Sequence, residues 1–372
     1  MIKKFLQKIF KTISYSIFII VYGKINESID YKKSNKVTIH TVDKENNFKY
    51  KIYKILDGRL YTDRIHDTAI VVDKKIVDGP SFQQRFTRDL KIYNSEVKDN
   101  VVFTKGTPRI LRNIRGNVLS LLTGGGGNSN YWHWLFDVLP RLHLCSNFKN
   151  IKDIDFFLVP SLTKKFQRET LDYLNIPDHK RLSSETFRHI KTKELYITDH
   201  PYVINNDSTE DIKNIPYWII SWLKNSFLKD AKKVEKKNVF IERNDIISNL
   251  PSQRLLLNEN EVKNYLLENN YVSAKLHELN FIEQVSLFYN SKSIVGLHGS
   301  GFANTVFCES GTKVIEFRSH GAGTVIENLT KKNNLDYHSI ISKSEPLYKF
   351  KSPTQQGKIK ISIDHLNKII KE

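Results

Sequence analysis

The sequence predicts an α/β protein whose second half forms a parallel, doubly wound sheet of the Rossmann type. From residue 238 onward, short apolar strands alternate with helical segments, and this order requires right-handed crossovers between parallel strands. Two helices in this half start with a capping-box pattern. The predicted strands are 239–242, 271–276, 293–296 and 313–317, the capping boxes start at Asn258 and Asn280, and helices are expected at 302–307 and 361–370.

The first half is predicted to contain strands, fewer helices and a boundary to the second domain. A chain of 372 residues exceeds the usual size of one core, and a stretch rich in Pro, Asn and Lys at 199–237 marks the best boundary. Period-two alternation is typical of half-buried strands. Predicted strands cover 37–56, 68–72, 101–103, 117–122, 156–159 and 195–197, and predicted helices cover 131–144, 162–174 and 217–228.

The composition is that of a globular protein with an uneven excess of positive charge. Hydrophobic residues make up 40% of the chain, and 58 Lys and Arg against 40 Asp and Glu leave a net charge of +18. Such an excess favours nucleic acid, phosphorylated substrates or anionic membranes. Residues 1–54 hold twelve Lys and four acids. A nucleic-acid groove would instead spread its basic residues through the folded body, so nucleic acid is not expected as a partner.

Residues 1–30 form a basic amphipathic segment. Lysines alternate with apolar residues up to Lys11, and the apolar run 13–22 that follows is shorter than the ~20 residues that cross a bilayer. No small-x-small cleavage site follows this run, although a signal peptide would require one. Two interpretations stay open: a helix lying in an anionic leaflet, or a first helix packed on its own domain.

The strongest local pattern is the glycine-rich turn at residues 296–304, which follows a β-branched strand and leads into a helix. In parallel sheets, ligands bind beyond the carboxyl ends of the strands. Glycines let backbone amides approach a phosphate, and the helix N-terminus adds partial positive charge. A plain tight turn, with glycine needed for positive φ, is the alternative. The candidate phosphate ligands in this turn are His298, Gly299, Ser300, Gly301 and Asn304.

Two arginines and one acid join this candidate donor site. Arg243 follows a strand of the same sheet, and Arg254 lies in the loop after it. The planar guanidinium binds two phosphate oxygens and stays charged. Glu316 ends another apolar strand, where a carboxylate can accept both hydroxyls of a ribose. An ion pair with Arg318 is the alternative for Glu316.

A polar stripe on the helix after residue 130 is the candidate catalytic group. Asn130, His133 and Asp137 fall on one face, and they follow four glycines that include Gly125 and Gly126. A carboxylate one turn from a histidine fixes its tautomer and stabilises its charged form, as a general base requires. A buried structural histidine is the alternative. Arg141 is ranked second because Pro140 is expected to kink or end the helix.

No metal or disulfide is expected. Asp153 and Asp155 form the sequence's Asp-x-Asp pair, but they stand at the start of a strand, on the edge away from ligands. Cys145 and Cys308 lie among apolar residues and are expected to be buried free thiols.

Three blocks of this sequence together resemble glycosyltransferase family 61. They are Asn130–Leu142, the segment from Phe240 to Glu259, and the segment from Gly296 to Phe317, in the family's order and spacing. The resemblance covers about residues 100–320. It matches His133 and Asp137 to the family's first block, and it matches the donor side to Arg243, His298, Gly299, Gly301 and Asn304. Ser300 stands where the family usually has alanine.

The resemblance implies the GT-B arrangement, in which two Rossmann-like domains face each other across a cleft for donor and acceptor. The expected domains are 31–210 for the acceptor and 211–360 for the nucleotide sugar, with a helix at 361–372 that returns to the first domain. It also implies an inverting, metal-independent transfer from a nucleotide sugar to a glycan or lipid-linked glycan. The short basic start points to a bacterial-type enzyme on the cytoplasmic membrane face that makes surface polysaccharide. A catalytically silent nucleotide-sugar or glycan-binding protein is the rival interpretation.

Overall fold

A computed structural model shows a mixed α/β protein, as predicted, and divides it into two compact units, Met1–Ile212 and Lys213–Glu372. The structure describes residues 2–25, 27–45, 48–63, 67–86, 92–94, 96–100, 102, 109–122, 129–203, 210–211, 213–243, 254–344 and 357–372. The predicted strand at 101–103 lies almost wholly outside these residues.

The first unit is built on one mixed sheet. Its strands are β1 (Glu27–Asp30), β2 (Val37–Asp43), β3 (Lys49–Leu56), β4 (Arg59–Thr62), β5 (Asp67–Val72), β6 (Lys75–Asp78), β7 (Phe82–Phe86), β8 (Ile92–Asn94), β9 (Arg112–Ser120), β10 (Phe156–Val159), β11 (Arg181–Ser183) and β12 (His189–Thr198). Strands β12, β9, β10 and β11 are parallel neighbours, and β3 and β4 pair antiparallel with β12.

This sheet differs from the all-parallel sheet expected of a Rossmann-like first domain. Strands β5 and β6 are joined by Asp73 and Lys74 alone, both with positive φ, and Val72 pairs with Lys75. A two-residue turn can join only antiparallel neighbours, whereas parallel strands need a long crossover. Parallel pairing in this unit occurs between β1 and β6 and among the strands from β9 onward.

The helices of the first unit include both that were predicted after residue 130. They are α1 (Ile2–Tyr22), α2 (Tyr131–His133), which continues through a π-helical turn (Trp134–Val138) into α3 (Pro140–Ser146), and α4 (Lys165–Tyr173). Within the described residues, one stretch, Lys4–Tyr22 of α1, is long and apolar enough to cross a membrane by length and composition. This stretch is longer than the apolar run 13–22 because it includes Lys4, Lys8 and Lys11, and a signal sequence would meet the same test.

The second unit has the predicted doubly wound sheet. Its strands are β13 (Lys237–Ile241), β14 (Arg254–Leu256), β15 (Tyr271–Ala274), β16 (Ser291–Leu297), β17 (Lys313–Ser319), β18 (Asp336–Ser342) and β19 (Gly357–Ile359). The parallel order is β15-β13-β16-β17-β18, while β14 and β19 form a separate parallel pair. The chain winds to one side of β13 and then to the other, so the carboxyl ends of β13 and β16 flank the switch point where such sheets bind ligands.

The helices of the second unit surround this sheet. They are α5 (Tyr217–Phe227), α6 (Glu259–Glu268), α7 (Phe281–Tyr289), a 3₁₀ helix (Ser300–Phe307), α8 (Val325–Lys332) and α9 (Ile363–Lys371). The capping box at Asn280 is confirmed, but the one at Asn258 is wrong, because that side chain bonds to Glu261 and to the backbone of Ile361. Helix α9 packs its apolar side into the core of this unit.

Candidate active site

The first cluster of candidate residues is a histidine–carboxylate pair on the helix that begins at Tyr131. His133 Nδ1 lies 2.8 Å from Asp137 Oδ2, the contact expected from their spacing. The His133 side chain is 21% exposed, whereas that of Asp137 is 1% exposed. A substrate can therefore reach His133 but not Asp137, and since Nδ1 donates to the carboxylate, Nε2 is the nitrogen that can accept a proton.

The local sequence explains how the helix presents this pair. The Asn130 side chain caps the helix by accepting hydrogen bonds from the amides of Trp132 and His133. Pro140 was expected to kink or end the helix, and the helix does not end there. Pro140 has no N–H, and the preceding turn widens so that the amide of Leu139 bonds to the carbonyl of Trp134 five residues back. The helix then continues to Ser146.

Asp137 is held in place by two buried residues that the sequence pattern does not indicate. The Tyr202 hydroxyl donates to Asp137 Oδ1. His200 Nδ1 accepts from the amides of Tyr202 and Val203, which leaves Nε2–H facing Asp137 Oδ2 at 3.7 Å. Both residues follow β12 at its carboxyl end. The sequence signal that could have indicated these two residues is their position just beyond a predicted strand.

Arg141, ranked second from the sequence, is a fully buried part of the same cluster. Its Nε donates to the backbone carbonyl of Asp137 at 2.9 Å, and its Nη1 donates to the carbonyls of Thr198 and Asp199, both at 3.1 Å. Burial lowers the pKa of Arg141 to about 10, so it stays charged at neutral pH. It thus ties the helix to the end of β12.

The electrostatics of the pair suit a general base. Burial lowers the pKa of His133, but the charge of Asp137 and their hydrogen bond outweigh it, so the pKa is raised above its ordinary value. Burial alone would raise the pKa of the Asp137 carboxyl, yet His133 and His200 hold it well below its usual range. Asp137 therefore stays ionised, and His133 is the member of the pair that can exchange a proton.

The second cluster of candidate residues lies at the switch point of the second unit. Register pairs Ile241 with Gly296 and Gly296 with Glu316, so the residues that follow β13, β16 and β17 meet at one edge. Arg243 lies against the glycine turn and donates from Nη1 to the His298 carbonyl at 3.3 Å. A Cβ at Gly299 would stand 2.9 Å from Arg243 Nη1. This glycine is required for the close approach of the guanidinium; its φ of 175° is extended, and positive φ is not the reason.

Arg254 provides a second positive charge beside Arg243. Burial, with repulsion from Arg243, lowers the pKa of Arg254 to about 10, so both side chains remain charged at neutral pH. In the part of the chain that the structure describes, the Arg254 guanidinium makes no hydrogen bond and no ion pair within 4 Å. Two neighbouring guanidinium groups, of which one has no such partner among the described residues, are suited to bind an anion.

Glu316 and His298 form a buried pair that supports the turn. His298 Nδ1 contacts Glu316 Oε1, and the Tyr337 hydroxyl donates to Oε2. The Glu316 side chain is 0% exposed, so the predicted ribose contact is replaced by bonds within the protein. The alternative pairing is also wrong, because Arg318 pairs with Glu327. Direct phosphate contact from the His298 ring is likewise not favoured, since the ring is buried.

The remaining candidates of the turn divide into exposed and buried positions. Ser300 and Gly301 are partly exposed at the start of the 3₁₀ helix. Asn304 is fully buried and donates to Gln284 at 3.0 Å, so it fixes the helix to α7. Gly125 and Gly126 lie outside the described residues.

The described residues show three further features: a cavity, two buried cysteines and the lack of a metal-binding cluster. A cavity of about 390 Å³ in the first unit is lined by His200, Asp199, Tyr53, Phe82 and Lys51, among others. Cys145 and Cys308 are buried free thiols, as predicted. No group of three or more His, Cys, Asp or Glu that could hold a metal occurs within the described ranges.

A family model described as Glycosyltransferase 61 matches residues 131–315, about half of the chain. The match begins at the helix that carries His133 and Asp137, includes both arginines and the glycine turn, and ends in β17. The chain belongs to glycosyltransferase family 61. Membership implies a glycosyltransferase, and both clusters of candidate residues fall within the matched segment, apart from Asn130 and the supporting Glu316 and Tyr337. A comparison with curated proteins finds no match for this glycosyltransferase.

Proposed function

We propose that this glycosyltransferase moves a sugar from a nucleoside-diphosphate donor to a glycan acceptor, with inversion at the anomeric carbon. The observation that supports it best is the pair of adjacent guanidinium groups, Arg243 and Arg254, at the switch point of a doubly wound sheet. A diphosphate carries negative charge that complements these two guanidinium groups, and the amides at the start of the 3₁₀ helix add donors. The same charges stabilise the diphosphate as it leaves.

His133 is the proposed general base of a single displacement. The acceptor hydroxyl oxygen attacks the anomeric carbon while the bond from that carbon to the diphosphate oxygen breaks. The hydroxyl proton goes to His133 Nε2, and ionised Asp137 stabilises the imidazolium. One displacement inverts the configuration. The scheme requires both clusters to reach one donor, as the GT-B arrangement allows, and it requires no metal, because the arginines supply the positive charge.

The acceptor side of the proposal rests on the cavity beside His200. Aromatic and polar side chains together, as at Tyr53, Phe82 and Asp199, suit a sugar ring with its hydroxyls. His200 joins this cavity to the Asp137 carboxylate. Asn130 and the loop with Gly125 and Gly126 are the other proposed acceptor contacts. We propose that the acceptor is a glycan or a lipid-linked glycan. We also propose that the enzyme acts in surface polysaccharide synthesis on the cytoplasmic side of the cell membrane.

A thermal-shift screen against nucleoside diphosphates and nucleotide sugars tests the donor site. We expect one base to raise the melting temperature, and we expect Arg254→Gln to remove that shift without unfolding the protein. Arg168→Gln, an exposed arginine of the first unit, is the matched control and should keep the full shift. A shift that persists in Arg254→Gln would contradict the assignment of the anion site.

A transfer assay with the selected donor separates an enzyme from a silent sugar-nucleotide-binding protein. His133→Ala should lose transfer by about a hundredfold or more while keeping the thermal shift with donor. Activity should persist after treatment with a metal chelator. Full transfer by His133→Ala would refute the general-base assignment, and a thermal shift without any turnover in the wild type would favour the silent binder.

A further inference from the structure

Helix α1 carries a continuous apolar stripe that faces solvent. The side chains of the stripe are between 41% and 83% exposed, and their spacing of three and four residues places them on one face of the helix. The stripe consists of Phe5, Leu6, Ile9, Phe10, Ile13, Ile17 and Ile20. Soluble proteins seldom expose so many large apolar side chains in one patch, and such a patch marks an interaction surface.

The opposite side of the helix is fixed to the first unit at its last turns. Phe18 is buried, with ring centroids 6.1 Å from Tyr61 and 5.6 Å from His189. The Tyr22 hydroxyl accepts from the amide of Leu111 at 3.0 Å. These contacts hold the last turns against the core of the unit and turn the apolar stripe outward.

The charges on α1 all have one sign. Lys4, Lys8 and Lys11 are exposed and lie on the face opposite the stripe, and residues 2–22 contain no Asp or Glu. A protein partner would be selected by a mixture of charges and shapes, whereas a helix with an apolar face and a lysine-bearing polar face matches the acyl boundary and the headgroups of an anionic bilayer.

We propose that α1 docks the protein on an anionic membrane, with the helix lying in the plane of the interface. The apolar stripe enters the acyl boundary, and the three lysines meet anionic headgroups. A spanning orientation would carry Lys8 and Lys11 into hydrocarbon and would leave only eleven residues, 12–22, free of charge. The proposal does not depend on the proposed reaction.

Vesicle flotation tests the docking. The full-length protein should bind vesicles that contain phosphatidylglycerol and should bind vesicles of phosphatidylcholine alone at least about tenfold more weakly. Ile9→Gln with Ile13→Gln should lose binding, while Ile110→Gln, an exposed isoleucine elsewhere in the first unit, should not. The donor-induced thermal shift should stay unchanged in both variants, which separates this test from that of the transferase. Equal binding of wild type and helix variants would overturn the proposal.

The depth of helix α1 in the bilayer distinguishes docking in the interface from the two alternatives, a spanning segment and contact with a second copy of the chain. Leu6→Cys, Ile13→Cys and Ile20→Cys share the exposed face, and an environment-sensitive label will select them because Cys145 and Cys308 are buried. Quenching by lipid-borne nitroxides should give one shallow depth for all three labels. A gradient of depths along the helix would instead show a spanning segment. Labels buried without lipid, in a protein that sediments as a dimer, would assign the stripe to a second copy.

Discussion

Two histidine–carboxylate pairs in this protein have the same chemistry and different surroundings. His133 is partly exposed and bonds to a carboxylate that is itself held by buried neighbours. His298 is buried, and its partner Glu316 is closed off by Tyr337. A proton can be exchanged with a substrate only at an accessible nitrogen. In the proposed reaction His133 is therefore the histidine that can act, whereas His298 supports the glycine turn.

Removing the charge of Asp137 should change both the rate and its pH dependence. In the wild type, activity should rise with pH as His133 loses its proton, with a midpoint above about 6.5 because its pKa is raised. In Asp137→Asn the two raising causes are gone while burial still lowers the pKa, so the midpoint should fall below about 6.5. The maximal kcat should drop by about a hundredfold or more.

The matched control is Asp178→Asn, an exposed carboxylate of the same unit that pairs with Arg181. It should leave the midpoint of the pH–rate curve unchanged. If Asp137→Asn kept the wild-type midpoint, the titrating group would not be His133.

Adding one methyl group at Gly299 should weaken the donor site. In Gly299→Ala the new Cβ would stand 2.9 Å from Arg243 Nη1, so the guanidinium must move. We expect about tenfold weaker binding of the nucleoside diphosphate, or about 1.4 kcal/mol, by calorimetry. Gly323→Ala, where a Cβ would meet nothing within 4 Å, is the control and should bind normally. Unchanged affinity in Gly299→Ala would show that the position of the Arg243 guanidinium does not matter for ligand binding.

At the scale of elements, the capping box of α7 allows a clean stability test. Asn280 accepts from the Glu283 amide, and Glu283 accepts from the Asn280 amide. Asn280→Ala should reduce the free energy of unfolding by about 1 kcal/mol in a denaturant titration. Asn264→Ala, an exposed position inside α6, should have no effect or a small stabilising one, because alanine favours a helix interior. A loss of similar size at both positions would show that the cap contributes nothing specific.

The elements predicted best are those whose signal is local. Strand β10 was predicted with its observed bounds, and the cap of α7 was found from Asn280 and Glu283 alone. The capping box predicted for α6 is wrong because the Asn258 side chain bonds to Ile361, about a hundred residues away. The antiparallel pairing of β5 and β6 was missed because Asp73 and Lys74 lack the Asn-Gly signal of a type I′ turn.

The residues of the candidate site also divide into those that a local sequence signal predicts and those that it does not. His133 and Asp137 are one helical turn apart, so spacing alone predicts their contact. The supporting residues His200 and Tyr202 come from the end of another strand, and nothing in the spacing connects them to Asp137. The role of Gly299 also could not be predicted, because it depends on a guanidinium that packs where a Cβ would stand.

At the scale of the whole molecule, binding and stability should be linked. All the residues of the proposed donor site lie in the second unit. A ligand that binds only the folded state, at a hundred times its Kd, should add about 2.7 kcal/mol to the stability of the structure that holds the site. Hydrogen exchange should show this as slower exchange of the amides in β16 and the 3₁₀ helix. Arg254→Gln, which lacks the anion site, should show no such protection at the same concentration.

The pairing of β14 with β19 has a consequence for how this protein is made. Arg254 stands at the start of β14, whose partner strand is Gly357–Ile359, and Asn258 just after it bonds to Ile361. A nascent chain that has emerged only as far as residue 344 holds the glycine turn but not the partner strand of Arg254. The nucleotide site should therefore be one of the last parts to form during translation, and a ribosome-bound chain should acquire nucleotide affinity only once residues 357–371 have left the exit tunnel.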